Sequence, residues 1–537
     1  MASSAAIRYR LVMNRLASLL LPLMLWASRA ASADSYDVLI RGGRIADGTG
    51  NPMYFADVGI KDGRIAAIGK LAGEAKKTVD AKGMVVAPGF VDVHTHAEDI
   101  EDLPLAENFL RMGVTTLILG NCGSSRADLG EYFALLEKTK LAPNVASLIG
   151  HGTVRNRIMG GSFMRPPSTE ELSKMKAMVE KAMKDGAVGM STGLIYLPGT
   201  FAKTDELIEL AKVASAYDGI YVSHMRNEGT SIQKSLAELF QIAREAHIRA
   251  EISHIKLSGR TAWGNTGEVL DAITKARAEG LDITQDEYMY PASSTGLSQL
   301  IPDEAKEGGD KKYLERLNDP AKKQEIVAEM KRSLKHSGRE NFDYAVIASY
   351  RKDKSLNGLN VMEAAKKARG SDSLDDQIEL VLEIHKNGGA SAVYHSMNED
   401  DLRIFLKNPN TMIASDSGVR KYNEGVPHPR GYGNNARALG EYVRELKLLS
   451  IEEAVRKMSS LPATTFRLGD RGLIRTGAWA DVVVFDPETV TDHATFKEPH
   501  QYATGFKAVL VNGVVVVEDD VHNGARPGLI LRHKAGQ

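Results

Sequence analysis

Six residues of metal-binding type, His94, His96, Cys122, His224, His254 and Asp416, are spread over more than three hundred positions, and Lys256 follows close behind His254. They lie at the ends of short apolar runs: MVVAPGFVDV before His94, VTTLILGN before Cys122, GIYVS before His224, AEIS before His254 and TMIAS before Asp416. Imidazole nitrogen and thiolate sulfur are the donors zinc prefers. A carboxylate at another strand end can move protons beside the metal. Together these residue types predict hydrolysis by a metal-activated water.

Donors that are far apart in sequence must be gathered by a scaffold. A (β/α)8 barrel does this, because the C-terminal ends of its parallel strands converge on one face. The chain alternates apolar runs with helical stretches, as parallel βα units require. Strands are predicted at 84–93, 114–121, 144–151, 188–194, 219–225, 250–256, 282–288 and 411–416, which makes the eight that a barrel needs. Two further runs, YAVIASY (344–350) and SAVYHSM (391–397), fall between the seventh and the eighth. They place a lid-like insertion at about 291–405, since insertions at this end of a barrel often cover the site.

Each terminus reads differently from the middle. Residues 34–83 carry short alternating strands ended by glycine turns, such as Gly42-Gly43 and Asp62-Gly63, and residues 469–537 return to that style. One small β-sandwich built from both termini is expected, flanking a barrel over 84–468. The predicted fold class is α/β.

Taken singly, the chemical residues are ambiguous. Strand alternation points His94 and His96 to the same side, yet histidine pairs are common in cores. A lone buried cysteine is usually structural, although the strand-end position and flanking glycines of GNCGSS favour a ligand. Asp416 before Ser-Gly could be a turn or a cap.

The surrounding phrases remove much of that ambiguity. APGFVDVHTH, GVTTLILGNCG, GHGTVR (150–155), GMSTGLIYLPG, SHMRNEG, SHIKLSG, YMYPASST (288–295), ASDSG and HPRGYG (428–433) resemble the N-acyl-D-amino-acid deacylase (D-aminoacylase) branch of the amidohydrolase superfamily over nearly all of the chain. The resemblance implies that Cys122, His224 and His254 hold a tight zinc, with His94 and His96 sharing Cys122 at a weaker second site. It implies Asp416 as general acid–base and metal neighbour, and Arg430 as the grip on the substrate's α-carboxylate. Tyr196, Lys256, Tyr290 and Ser293 or Ser294 are the implied further substrate contacts. His151 belongs to a shared phrase with no role attached. Related barrels bridge two metals with a lysine after the fourth strand. Here no lysine occurs until Lys203, so Cys122 bridges or nothing does.

The chain also departs from that pattern. Ala97 follows the second histidine where an acid is common, Leu197 replaces a proline, and Ser417 follows Asp416 in place of glycine. The residues VRKYNEG (419–425) separate Asp416 from HPR, and NNAR (434–437) replaces a phenylalanine–proline phrase. These changes surround the substrate and not the metal. The expected activity is hydrolysis of N-acyl-D-amino acids. The same chemistry on a D-dipeptide, a cyclic amide or an exogenous N-acyl amino acid is the alternative. A sugar hydrolase would need two apposed strand-end carboxylates, for which only Asp286-Glu287 offers itself.

Composition sets the outer bounds. The 537 residues have a net charge of −1 and no charge block, which argues against a nucleic-acid partner. Arg8, Arg10 and Arg15 precede the apolar run Leu16–Trp26, followed by Ala31-Ser32-Ala33, the order of a secretory signal peptide over 1–33. The run is short for a membrane span, so no stable insertion is expected after cleavage. The one cysteine excludes an intramolecular disulfide. An exported, bacterial periplasmic or secreted enzyme is expected, its partner a small N-acyl compound. Its oligomeric state is not coded in these motifs.

Overall fold

A computed structural model describes residues 35–534. The proposed signal peptide lies outside the described residues. Eight parallel strands form the barrel: Phe90–Asp92, Val114–Leu119, Asn144–Ser147 continued by Ile149–Gly150, Gly189–Gly193, Ile220–His224, Arg249–Ile252, Ile283–Glu287 and Thr411–Ile413. The third strand is interrupted at Leu148. Its first part pairs with the second strand, its last two residues with the fourth. Strands one and eight meet through a parallel bridge between Thr95 and Ser417, and the buried Asp92 carboxylate accepts the Ser415 amide at 3.1 Å. Runs such as VTTLIL are buried along their whole length, because a parallel sheet is covered on both faces.

Helices between the strands are bounded as their sequences dictate. Ser168 and Glu171 form a reciprocal capping box at the start of Thr169–Asp185, and Gly186 ends that helix in the left-handed region. Among the described residues no helix is long and apolar enough to cross a membrane.

The terminal segments join in one nine-stranded sheet, with Ser35–Ile45 and Val85–Pro88 linking the N-terminal strands to Val482–Phe485 and Phe506–Val511. The sheet folds over a core of Val38, Ile60, Ile65, Val482, Val484 and Leu510. Its opposite residues, including Val483, Phe485 and Val509, join the main core that the barrel helices share.

Three boundaries differ from the sequence reading. The run 84–93 is not one strand: Val85–Pro88 belongs to the β domain, and only Phe90–Asp92 enters the barrel. Gly89 is the pivot, where a Cβ would stand 2.3 Å from Thr115 Oγ1. Nothing in the hydrophobic pattern marks that hand-over. The insertion is a compact α/β unit with a three-stranded antiparallel sheet (Ser293–Gly296, Ala345–Ser349, Ser391–Tyr394) and its own core around Leu297, Tyr313, Ile347 and Ile378. It ends before 405, because the helix Glu399–Lys407 buries Leu402 and Phe405 in the main core. The C-terminal tail leaves the β domain and docks on the barrel, where Leu531 donates its amide to Val145 O at 2.7 Å.

Candidate metal centre and catalytic cavity

The strand ends bring the six sequence-predicted residues together. Cys122 Sγ sits among three imidazoles: His94 Nε2 at 3.3 Å, His224 Nδ1 at 3.6 Å and His254 Nε2 at 3.8 Å. The donor atoms of His94, Cys122 and His254 lie within 4.8 Å of one another, and so do those of His94, His96 and Asp416. His96 Nε2 is 3.2 Å from Asp416 Oδ1. The sulfur is thus placed between the two histidine pairs, where a bridging ligand belongs. Cys122, His254 and Asp416 have φ angles of 51°, 34° and 49°. This left-handed backbone is costly for residues with a Cβ and recurs at functional sites.

The rings are aimed by carboxylates behind them. His94 Nδ1 is 3.2 Å from Asp286 Oδ2, and His254 Nδ1 is 2.9 Å from Glu228 Oε1. Such partners fix the tautomer and turn the other nitrogen toward a metal. Glu228 is held by Lys256 Nζ at 2.7 Å, and Lys256 also donates to His254 O at 2.6 Å. Burial works against the Glu228 charge, but Lys256, His224 and His254 outweigh it and keep the carboxyl ionised. Likewise, burial opposes a thiolate at Cys122, while His94, His224 and His254 hold its pKa well below the ordinary thiol value. A thiol driven toward its anion among imidazoles with oriented rings fits a soft divalent ion such as zinc.

Asp416 is 7% exposed and its Oδ2 is 2.9 Å from Arg430 Nη1, which is 2% exposed. Desolvation pushes against the Asp416 charge, yet Arg430, His94 and His96 overcome it and depress the pKa well below the carboxylate range. Arg430 lies over the Tyr288 ring at 4.4 Å, and its Nε has no hydrogen-bond partner. A planar guanidinium in this setting can bind a carboxylate.

A cavity of about 690 Å³ opens on the cluster, with His96, Cys122 and Asp416 on its inner wall. Tyr196 and Ser294 line it as predicted, and so does Thr295. Thr295 Oγ1 is 3.1 Å from the Tyr196 hydroxyl, and the Tyr196 ring meets His224 edge-on at 5.0 Å. Four predicted substrate contacts, Lys256, Tyr290, Ser293 and Arg430, are not on the cavity lining. Lys256 is buried in its bonds to Glu228 and His254. Tyr290 donates its hydroxyl to Asp492 Oδ2 at 2.9 Å, and Ser293 pairs with Tyr394 in the insertion sheet. His151 gains a role: its Nε2 is 2.8 Å from Glu206 Oε1, and Arg155 binds the same carboxylate. This buried triad anchors the helix His151–Met159, which forms one wall of the cavity.

Sequence reasoning missed Glu228 and the orienting role of Asp286. Glu228 stands inside the quoted phrase SHMRNEG, four residues past His224, and that spacing was its available signal.

Residues 77–517 match the amidohydrolase family. The N-acyl-D-glutamate deacylase of Alcaligenes xylosoxydans xylosoxydans is 36% identical over 527 residues, covering 94% of this chain and 98% of that protein. The crystal structure of N-acyl-D-glutamate deacylase from Bordetella bronchiseptica, complexed with zinc and a phosphonate inhibitor that mimics the tetrahedral intermediate, superposes with a TM-score of 0.80 at 34% identity. It covers 93% of this chain and 100% of that one. A D-aminoacylase structure described for its binuclear metal centre, with one-metal activation and second-metal attenuation, gives the same TM-score at 33% identity and the same coverage. The chain belongs to the amidohydrolase superfamily, in its N-acyl-D-amino-acid deacylase (D-aminoacylase) family.

Proposed function

We propose that this protein is an exported, zinc-dependent deacylase that hydrolyses the amide bond of N-acyl-D-amino acids to a carboxylic acid and a D-amino acid. The observation that carries this reading is the pairing of a Cys122-centred donor set with an Asp416 kept ionised beside it. Cys122, His224 and His254 would hold one zinc, and His94 and His96 with Cys122 a second. Bound zinc lowers the pKa of a water and polarises an amide carbonyl.

The chain's own residues supply the remainder. Asp416 accepts the water's proton at its carboxylate and returns it to the leaving nitrogen. Tyr196 is half-buried, and desolvation together with the Cys122 charge raises its pKa well above the ordinary phenol value. It stays protonated and can donate a hydrogen bond to the carbonyl oxygen as negative charge develops there. Arg430 binds the α-carboxylate, which favours a linear substrate over a cyclic amide. The D preference is supported by the relatives, which are named for D substrates. Export is supported by the order of Arg8, Arg10 and Arg15, the apolar run and Ala31-Ser32-Ala33. Mass measurement of periplasmic protein should find a mature chain starting near Asp34.

Asp416→Asn tests the catalytic assignment. Turnover should vanish while zinc content stays near that of the wild type. An active Asp416→Asn enzyme would remove Asp416 from the mechanism.

A further inference from the structure

The cavity that serves the metal centre extends well beyond it. Its about 690 Å³ falls in the range of roughly 300–1,000 Å³ that takes drug-sized ligands, more than an N-acetyl amino acid fills. The outer wall is formed by Ser124, by Thr153, Asn156 and Arg157 of the helix His151–Met159, and by Ser162. The charged or titratable side chains on the cavity lining are Asp416, His96, Cys122, Tyr196 and Arg157. The first two face each other at the metal centre, and Arg430 answers Asp416.

Arg157 stands apart from them. It is exposed, and among the described residues no carboxylate lies within 4.0 Å of it and no side chain or carbonyl takes its hydrogen bonds. Its neighbours are used up: Arg155 binds Glu206, and Arg165 binds Glu171 at 2.7 Å. One guanidinium, Arg430, is thus engaged behind Asp416, while Arg157 on the cavity lining is unengaged. An arginine in the last turn also suits the negative end of the helix dipole. That preference does not explain why the residue borders the substrate cavity in an otherwise polar wall.

We propose that Arg157 reads a carboxylate on the arm of the substrate that points away from the α-carboxylate, so that the preferred substrates are N-acyl-D-amino acids with two anionic ends. This rests on the deacylase reading above. Two sources supply that second carboxylate, a dicarboxylic acyl group or an acidic amino-acid side chain.

The test compares kcat/KM of the zinc-loaded enzyme for N-acetyl-D-methionine, N-succinyl-D-methionine and N-acetyl-D-glutamate, in wild type, Arg157→Gln and Arg157→Lys. The wild type should favour one of the doubly anionic substrates by about tenfold or more, as a charge-assisted hydrogen bond provides, mainly through KM. Whichever substrate it is identifies the source. Arg157→Gln should reduce that ratio about tenfold and Arg157→Lys should restore part of it. Added salt should weaken the preference, since the group is solvent-accessible. Equal kcat/KM for all three substrates, or a preference that survives Arg157→Gln, overturns the proposal and leaves Arg157 as a helix-end charge. If no substrate turns over, the deacylase reading fails on its own. Calorimetric binding of the same three compounds to wild type and Arg157→Gln then decides the role of Arg157: an Arg157-dependent preference for a dianion supports it, and equal affinities end it.

Discussion

Asp416 has two masters, a guanidinium that keeps it charged and, in the proposed mechanism, a reaction that requires it to accept a proton. Because Arg430 depresses its pKa, the carboxylate form persists to pH values below the ordinary carboxylate range. Activity that depends on that form is lost only as pH falls through the depressed value. Arg430→Gln should raise the Asp416 pKa, so the acid limb of the kcat/KM profile should move to higher pH while KM increases. An unchanged acid limb would show that Asp416 is not the titrating base. The six cluster residues were legible because each ends an apolar run, and the fold turns run ends into neighbours. Their orienting partners were not. Asp286 and Glu228 act across strand boundaries on His94 and His254, and no local spacing encodes a contact between separate strands. Lys256 and Tyr290 were read as substrate contacts from shared phrases alone, and pattern did not foretell their bonds to Glu228 and Asp492.

At the scale of elements, the centre depends on close backbone approach. A Cβ on Gly193, at the end of the fourth barrel strand, would lie 2.1 Å from Cys122 O and 2.6 Å from Tyr196 Cδ2. Gly193→Ala should therefore displace both the sulfur ligand and the tyrosine, lowering zinc content and kcat together. Retention of full zinc and full activity would mean that the strand end relaxes without moving Cys122. All eight barrel strands were predicted, most of them because buried parallel strands read as apolar runs that need no pairing information to be seen, although Ile283–Glu287 (ITQDE) carries four polar residues. What pattern cannot show is where one sheet passes to another. Val85–Pro88 and Phe90–Asp92 are equally buried, and only their partners, Val482–Phe485 and Val114–Leu119, divide them.

Across the whole molecule, barrel and β domain are joined by a buried polar knot. Asp481 is 5% exposed, ion-paired to Arg471, and accepts hydrogen bonds from Asn144 Nδ2 at 3.2 Å and the Asn512 amide at 2.8 Å. Asp481→Ala leaves Arg471 without its counter-charge and should cost about 3–5 kcal/mol of stability, read as a loss in the denaturant midpoint. A change under about 0.5 kcal/mol, as at an ordinary surface site, would show that the knot does not join the two units. Metal should stabilise the fold as well, because binding to the folded state alone raises stability. Chelation should lower Tm, and zinc should restore it. The insertion was legible as extra chain between the seventh and eighth strands, but its own core was not, because its helices are amphipathic and highly charged outside. Zinc-dependent hydrolysis of N-acyl-D-amino acids at the Cys122-centred site is tested most directly by metal analysis of the purified mature protein together with amine release from N-acetyl-D- and N-acetyl-L-methionine. Near-stoichiometric zinc with release from the D substrate alone is the predicted result. A protein that holds no zinc and releases no amine from either would contradict it.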